Sequence, residues 1–328
     1  MLDATKALMH PKASALHLVK DRISFVYLDH TRVTQDDTGV LAMFRSHGEP
    51  RKVYIPVSSV AVVMLGPGSS ITSPAAATLA RSGTVLLIAE AAGTRTLMWG
   101  HALASDARWA EAQASLWASP ETRVSVAVQM YLKRFHELPP GPLTLERLRG
   151  LEGARVKELY GSLARRAGLP GWRRRWDEND EKWDPVNEAL SAANACLYGV
   201  SLAAVSGIGA LPQLGFIHGG AALSFVYDIA DLYKAESSIP IAFACKDAAK
   251  PAAEARRRMR EYFRTSRLLS RAVEDVQSLL GASSPNPKGL NTDSSDRVKD
   301  GVNWAWITGE NTLSDATGIR EVGSEGTQ

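Results

Sequence analysis

One long uncharged stretch constrains the fold of this chain most. Residues 189–227 contain no Asp, Glu, Lys or Arg, and the stretch exceeds the roughly 20 residues that cross a bilayer. Its second half is interrupted by helix-breaking residues, so no apolar 20-mer is continuous and a membrane span is excluded. These residues are Gly207, Gly209, Pro212, Gly215, Gly219 and Gly220. We therefore predict buried helices and tight turns here.

The composition predicts an ordinary globular protein. With 328 residues, 45% of them hydrophobic, the chain suits about two domains that each bury a core. Cys196 and Cys245 form no C-x-x-C pair, and the N-terminus lacks a signal-peptide pattern, so we expect a cytoplasmic protein. The net charge of +3 is too small to indicate nucleic-acid binding by itself.

The periodicity of the apolar residues predicts the domain order. Up to about residue 100, β-branched and aromatic runs such as residues 23–28 and 60–65 alternate with turn sequences. Helical spacing follows, for example from Ser119 onward. We predict an α+β fold with a β-rich N-terminal domain, an all-α catalytic domain and a disordered tail rich in Ser, Pro, Asn and Gly. The predicted bounds are residues 1–100, 101–282 and 283–328.

Glu152 lies on the apolar stripe of a predicted helix. A carboxylate that faces the interior needs a partner, because burying an unpaired charge costs several kcal/mol. One interpretation is a structural ion pair with Arg149 or Arg155, and the other is a metal-binding or catalytic role. The flanking Gly150 and Gly153 lack a Cβ and therefore indicate that another group approaches the helix backbone closely here.

A second group of polar residues follows Gly219 and Gly220. On a helix predicted over residues 221–234, Ser224, Asp228 and Asp231 share one face. The stripe is either solvated or part of a cation site, with His218 just before it. Carboxylates with one imidazole suit Mg²⁺ or Mn²⁺, which favours chemistry on phosphodiesters.

Arginines are concentrated near residue 260. Six arginines lie within twelve residues, and this density predicts either a surface that contacts DNA phosphates or a solvated basic helix. They are Arg256, Arg257, Arg258, Arg260, Arg264 and Arg267. Arg173, Arg174 and Arg175 are followed by acidic residues, so local neutralisation and DNA contact both remain open.

Residues 148–155, 196–199, 215–219 and 224–231 together resemble the CRISPR adaptation integrases of the type I-E systems. The likeness extends over about residues 13–280. It implies a metal-dependent DNA endonuclease and integrase in which a 3′ hydroxyl of a captured DNA fragment attacks a phosphodiester at the end of a CRISPR repeat. It also implies a homodimer, and a complex of two such dimers with a dimer of a small ferredoxin-like partner protein (4:2).

By this resemblance Glu152, His218 and Asp231 are the ligands of Mg²⁺ or Mn²⁺, and Asp228 is an additional catalytic acid. The resemblance further implies several DNA contacts, and the arginine cluster adds Arg257 to them. It also implies a pocket that reads the short motif beside the captured sequence, and Tyr227 matches this pocket. The DNA-contact residues are Arg95, Arg149, Tyr198, Lys234, Arg260 and Arg264. A branched-DNA repair nuclease and a non-catalytic DNA-binding scaffold are the alternative functions.

Overall fold

Strands dominate the N-terminal part of the chain. The computed structural model describes residues 23–44, 51–90, 96–100, 107–137, 140–175 and 184–281. The strands are β1 (Ile23–Leu28), β2 (Thr31–Gln35), β3 (Val40–Phe44), β4 (Arg51–Tyr54), β5 (Val60–Leu65), β6 (Ser70–Ile71), β7 (Val85–Ala89) and β8 (Thr96–Gly100), with helix α1 (Ser73–Arg81) after β6. The predicted strands over residues 23–28 and 60–65 are confirmed.

The strands form two four-stranded sheets. The first has the order β1-β5-β7-β8, in which β1, β5 and β7 are parallel and β8 is antiparallel to β7. Its central strand β5 is buried along its whole length, as expected for a parallel strand covered on both faces. The second sheet has the order β4-β3-β2-β6, and α1 packs its buried Ala75 and Leu79 into a small core beside it.

Helices make up the remainder of the described chain. They are α2 (Arg108–Ala118), α3 (Pro120–Phe135), α4 (Leu145–Arg166), α5 (Pro185–Gly207), α6 (Ser224–Asp231), α7 (Ser238–Phe243), α8 (Pro251–Thr265) and α9 (Leu268–Leu280). The predicted class, a β-rich N-terminal part followed by a helical part, is confirmed. The predicted helix over residues 221–234 is too long, because a left-handed Gly220 and further turns flank the eight residues of α6.

Helix α5 contains the first half of the uncharged stretch and lies at the centre of the protein. Asp184 caps it by accepting hydrogen bonds from the backbone N–H groups of Val186 and Asn187, both at 2.9 Å. In the described part of the chain α5 is the one helix that is long and apolar enough to cross a membrane, but its most apolar window is 94% buried within the protein. It is a core helix, as the sequence predicts.

The larger core joins sheet and helices. Phe25 and Val62 of the first sheet belong to the same buried cluster as Leu197 of α5 and Met259 of α8. The domain boundary at residue 100 stays a prediction. The tail from residue 283 and Arg95 lie outside the described residues.

Candidate active site

A cleft of about 600 Å³ opens between α3, α4, α6 and the loop that precedes α6. Glu152, His218 and Asp231, which the sequence predicts as a group, all line it. Four cationic side chains line the same cleft against these two carboxylates. They are Arg134, Arg149, Arg174 and Lys234. A cleft with an excess of positive charge attracts polyanions such as DNA.

Glu152 projects from α4 and pairs with Arg134 of α3. The side chains of Glu152 and Arg134 are only 16% and 6% exposed. Burial raises the pKa of Glu152, and the ion pair with Arg134 offsets only part of that effect. The predicted partners are wrong, since Arg155 pairs with Glu137 instead, at 2.8 Å.

Arg149 and the two glycines that flank Glu152 also differ from the sequence-based interpretations. Arg149 donates a hydrogen bond to the carbonyl of Ile217 rather than pairing with Glu152. A Cβ added to Gly150 or Gly153 would meet no atom within 4 Å among the described residues, so no neighbouring part of the described chain requires glycine there. Gly153 lines the open cleft.

Asp228 lies behind the histidine and does not line the cleft. Its side chain is fully buried and accepts hydrogen bonds from the backbone N–H groups of Phe216 (2.6 Å), Ile217 (3.1 Å) and His218 (2.9 Å). The interpretation of Ser224, Asp228 and Asp231 as a solvated stripe is wrong, because Ser224 and Asp228 are buried and the side chain of Asp231 is only 14% exposed. Asp228 anchors the loop that carries His218.

The imidazole of His218 is held at one nitrogen. Nδ1 is 2.8 Å from Oδ1 of Asp228, while Nε2 faces Oδ2 of Asp231 at 3.9 Å. The hydrogen bond to Asp228 raises the pKa of His218, and Asp231 adds to the effect against the opposing influence of burial. When Nδ1–H donates to the carboxylate of Asp228, the lone pair of Nε2 points into the cleft.

Asp231, at the end of α6, forms an ion pair with Lys234 at 2.6 Å. Burial would raise the pKa of Asp231, but Lys234 and Arg134 outweigh it and the pKa is lowered. Asp231 therefore stays ionised near neutral pH. The ammonium of Lys234 also lies 4.9 Å from the ring centre of Tyr198, which contacts the ring of Tyr227 edge to face at 4.9 Å.

The donor set suits a hard divalent cation. Two carboxylates and one imidazole nitrogen face a single cleft, and the second nitrogen of His218 is fixed by a carboxylate, as is typical of metal-ligating histidines. Within the described ranges, no three His, Cys, Asp or Glu side chains are close enough to hold one ion together. Arg134 and Lys234 are the cations that the carboxylates contact in this structure.

Five of the six clustered arginines lie on α8, and Arg267 follows in a left-handed conformation between α8 and α9; none of the six lines the cleft. Arg257 and Arg258 both bond Glu254, and Arg264 bonds Glu261. Arg260 is exposed and lies 5.6 Å from the ring centre of Phe25 in β1. The segment is therefore basic but partly neutralised by its own glutamates.

Sequence reasoning missed several residues of the site. Arg134 carries no motif, and Arg174, left open between two interpretations, points into the cleft and bonds Asn187 and Ser191. Gln113, Trp117 and Arg123 bond the backbone of the loop before His218. Their partners lie about a hundred residues further along the chain, and no local pattern in the sequence indicates such contacts.

The fold and the cleft define a class: an α+β protein whose helical part carries a basic cleft with two carboxylates and an imidazole. A family model described as "CRISPR associated protein Cas1" matches residues 131–244, which include all three of these side chains. The chain is 35% identical to the CRISPR-associated endonuclease Cas1 of Clostridium sp. (strain SY8519), over 88% of this chain and 97% of that protein. The chain belongs to the CRISPR-associated Cas1 family.

Two further similarities agree with this membership. The chain is 38% identical to the CRISPR-associated endonuclease Cas1 2 of Thermus thermophilus, over 83% of this chain and 85% of that protein. A crystal structure of a TtCas1-DNA complex superposes with a TM-score of 0.69 at 38% identity, over 80% of this chain and 94% of that chain.

Proposed function

We propose that this protein is a divalent-metal-dependent DNA integrase and endonuclease of CRISPR adaptation, of the type I-E subfamily. The observation that carries the proposal is the cleft that Glu152, Asp231 and the Asp228-oriented His218 line together with four cationic side chains. Two relatives that share more than a third of their residues with this chain are named endonucleases, and one relative of 38% identity has been solved with DNA.

The proposed reaction is a transesterification. The 3′ hydroxyl of a captured DNA fragment attacks a phosphodiester at the end of a CRISPR repeat. A new P–O bond forms, the original P–O bond breaks, and the displaced strand leaves with a protonated 3′ oxygen. One phosphodiester replaces another, so the step needs no ATP, in agreement with the absence of a P-loop motif from the sequence.

Mg²⁺ or Mn²⁺, when bound, would withdraw charge from the reacting phosphate oxygens. Glu152, Asp231 and Nε2 of His218 are the groups that would hold it. Asp228 keeps the imidazole in the required orientation.

The cationic side chains would hold the DNA. Arg149 and Lys234 line the cleft, where they would contact phosphates next to the reacting bond. Tyr198 and Tyr227 offer a pair of aromatic rings near Lys234 for contact with bases. Arg257, Arg260 and Arg264 of α8 would contact DNA further from the cleft, and Arg95 is proposed on the resemblance alone.

The proposed assembly is a homodimer in the cytoplasm. Two homodimers and a dimer of a small ferredoxin-like partner would form the 4:2 complex that holds the captured fragment. Analytical ultracentrifugation of the chain with and without the partner protein measures both stoichiometries.

A strand-transfer assay tests the proposed activity. The wild-type protein, the partner and Mn²⁺ or Mg²⁺ are incubated with a short duplex bearing free 3′ hydroxyls and a supercoiled plasmid that carries a repeat. We expect Glu152→Ala and His218→Ala to reduce joined product at least about 100-fold with DNA binding nearly unchanged. Glu158→Ala, an exposed position on the same helix, is the matched control and should retain activity.

Each alternative function has its own outcome in this assay. Cutting of branched junctions without the partner and without preference for repeat ends would replace the integrase proposal with a repair nuclease. DNA binding without joining or cutting in the presence of Mn²⁺ or Mg²⁺ would instead favour a non-catalytic DNA-binding scaffold.

A further inference from the structure

The segment that carries the cleft histidine has an unusual set of backbone partners. We call residues 211–218 the histidine loop, which in the described structure contains no helix or strand. Gln113 of α2 is fully buried, and its side-chain amide makes three hydrogen bonds to this loop. Nε2 donates to the carbonyl oxygens of Leu211 (3.0 Å) and Leu214 (2.9 Å), and Oε1 accepts from the N–H of Leu211 (2.7 Å).

Two more side chains continue this pattern toward His218. Nε1 of Trp117 donates to the carbonyl oxygen of Gly215 at 3.0 Å, and Nε of Arg123 donates to that of Phe216 at 3.2 Å. Arg123 also lies over the Trp117 ring, 5.2 Å from its centre, so the two side chains hold each other in place. We call Gln113, Trp117 and Arg123 the brace.

The brace and Asp228 bond opposite sides of the same backbone. Asp228 accepts from the N–H groups of Phe216, Ile217 and His218, whereas the brace donates mainly to carbonyl oxygens from Leu211 to Phe216. Gly215 permits this path, because a Cβ there would lie 2.6 Å from the carbonyl oxygen of His218.

We propose that the brace is a set of positioning residues that fixes the histidine loop and thereby places the imidazole of His218 in the cleft. A buried glutamine leaves unsatisfied polar groups unless the loop follows this one path, and leaving buried polar groups without hydrogen bonds is unfavourable. Side chains of α2 and α3 thus fix the path of residues 211–216, and Asp228 orients the ring of His218. The catalytic consequence rests on the function proposed above for His218.

Gln113→Met tests the proposal, because methionine has nearly the volume of glutamine but neither donates nor accepts these hydrogen bonds. We expect faster amide deuterium exchange in the histidine loop. We also expect about tenfold weaker binding of Mn²⁺ to the DNA-free protein, which is the lower end of the loss seen when a group that positions a metal ligand is replaced. Trp117→Phe, which removes only the Nε1–H donor, should change both measurements in the same direction by less. DNA affinity should stay within twofold of wild type.

Val33→Ala is the control for a general loss of stability. It truncates a side chain in the separate core beside α1. The rise in exchange is compared with the loss of Tm in each variant. If Gln113→Met raises exchange in the same regions as Val33→Ala, in proportion to its loss of Tm, the brace is only a stabilising contact and the proposal is overturned. Unchanged loop exchange in both Gln113→Met and Trp117→Phe overturns it as well.

The exchange measurement separates this proposal from the proposed function. A wild-type protein that joins no DNA would refute the integrase activity, yet local exchange in the histidine loop would still decide whether the brace fixes it. Conversely, an active wild type with an unaffected loop in the variants would refute the brace alone.

Discussion

At the scale of the residue, the contacts of each carboxylate oxygen decide its chemistry. Glu152 contacts the guanidinium of Arg134, and Asp231 contacts the ammonium of Lys234. Asp228 instead contacts backbone N–H groups and a ring nitrogen. Asp231 and Asp228, three residues apart, therefore take different parts: one faces the cleft and the other positions the loop.

Replacing Asp228 by asparagine should damage both stability and activity. One acceptor oxygen becomes an NH₂ donor among three backbone N–H groups, so we expect a loss of about 1–3 kcal/mol in the free energy of unfolding. Strand transfer should fall about 10–100-fold because His218 loses its orienting partner. Urea unfolding and the strand-transfer assay measure the two effects, and Asp247→Asn, at an exposed aspartate, should change neither.

The raised pKa of His218 predicts a dependence of stability on pH. A raised pKa means that the folded protein binds the proton more tightly than the unfolded chain. This contribution is fully present below the unfolded value near 6.5, and it is lost as the pH rises through the higher pKa of the folded state. Urea unfolding from pH 5.5 to 9 should show the loss in the wild type but not in His218→Gln; parallel curves would contradict the assignment.

The sequence predicts the chemical residues of the site better than their neighbours. Glu152 on an apolar stripe and the His218 to Asp231 segment are visible from spacing and motif. A helical wheel places Asp228 beside Asp231, but it does not show that backbone N–H groups draw Asp228 inward. Arg134 stays hidden because its contact with Glu152 depends on how α3 packs against α4.

At the scale of the element, α8 carries arginines whose charge is partly neutralised by glutamates of the same helix. Arg257 and Arg258 share Glu254, and these hydrogen bonds lower the pKa of Glu254 to about 2. The carboxylate therefore stays ionised in any ordinary buffer. DNA that contacts this helix must compete with Glu254 for both arginines.

Glu254→Gln should strengthen DNA binding by releasing that competition. We expect the slope of log K against log salt concentration to become steeper by about 0.9, the value for one added phosphate contact. Fluorescence anisotropy with a labelled duplex at several salt concentrations measures the slope. Glu274→Gln on α9 makes the same change in net charge at an exposed position, and an equal effect from both variants would show that α8 is not the contact.

At the scale of the whole molecule, one core joins the first sheet to the central helix. A Cβ at Gly199 of α5 would lie 3.1 Å from Cδ1 of Leu87 in β7 and 3.5 Å from Cε of Met64 in β5. The helix therefore lies so close to the sheet that even an added Cβ would contact Leu87 tightly. The sequence predicts the α+β class and the order of its parts, but not this contact or the β1-β5-β7 pairing, because both join distant segments.

Gly199→Leu should destabilise sheet and helices together. The larger side chain overpacks the interface, which costs about 1–3 kcal/mol despite the better helix propensity of leucine. Amide exchange should rise both in β5 and β7 and in α5 and α8. Exchange that rises on one side only would instead favour two independently folding domains with a boundary near residue 100.

Neighbouring positions of α5 contact the two halves of the described protein. The ring of Tyr198 touches Tyr227 and Lys234 beside the cleft, while Gly199 lies against Leu87 and Met64 of the sheet. Because both positions belong to one turn of a rigid helix, a rotation of α5 that displaces the Tyr198 ring must also shift the seat of Gly199 on the sheet. Helix α5 thus links the packing beside the cleft to the packing of the sheet.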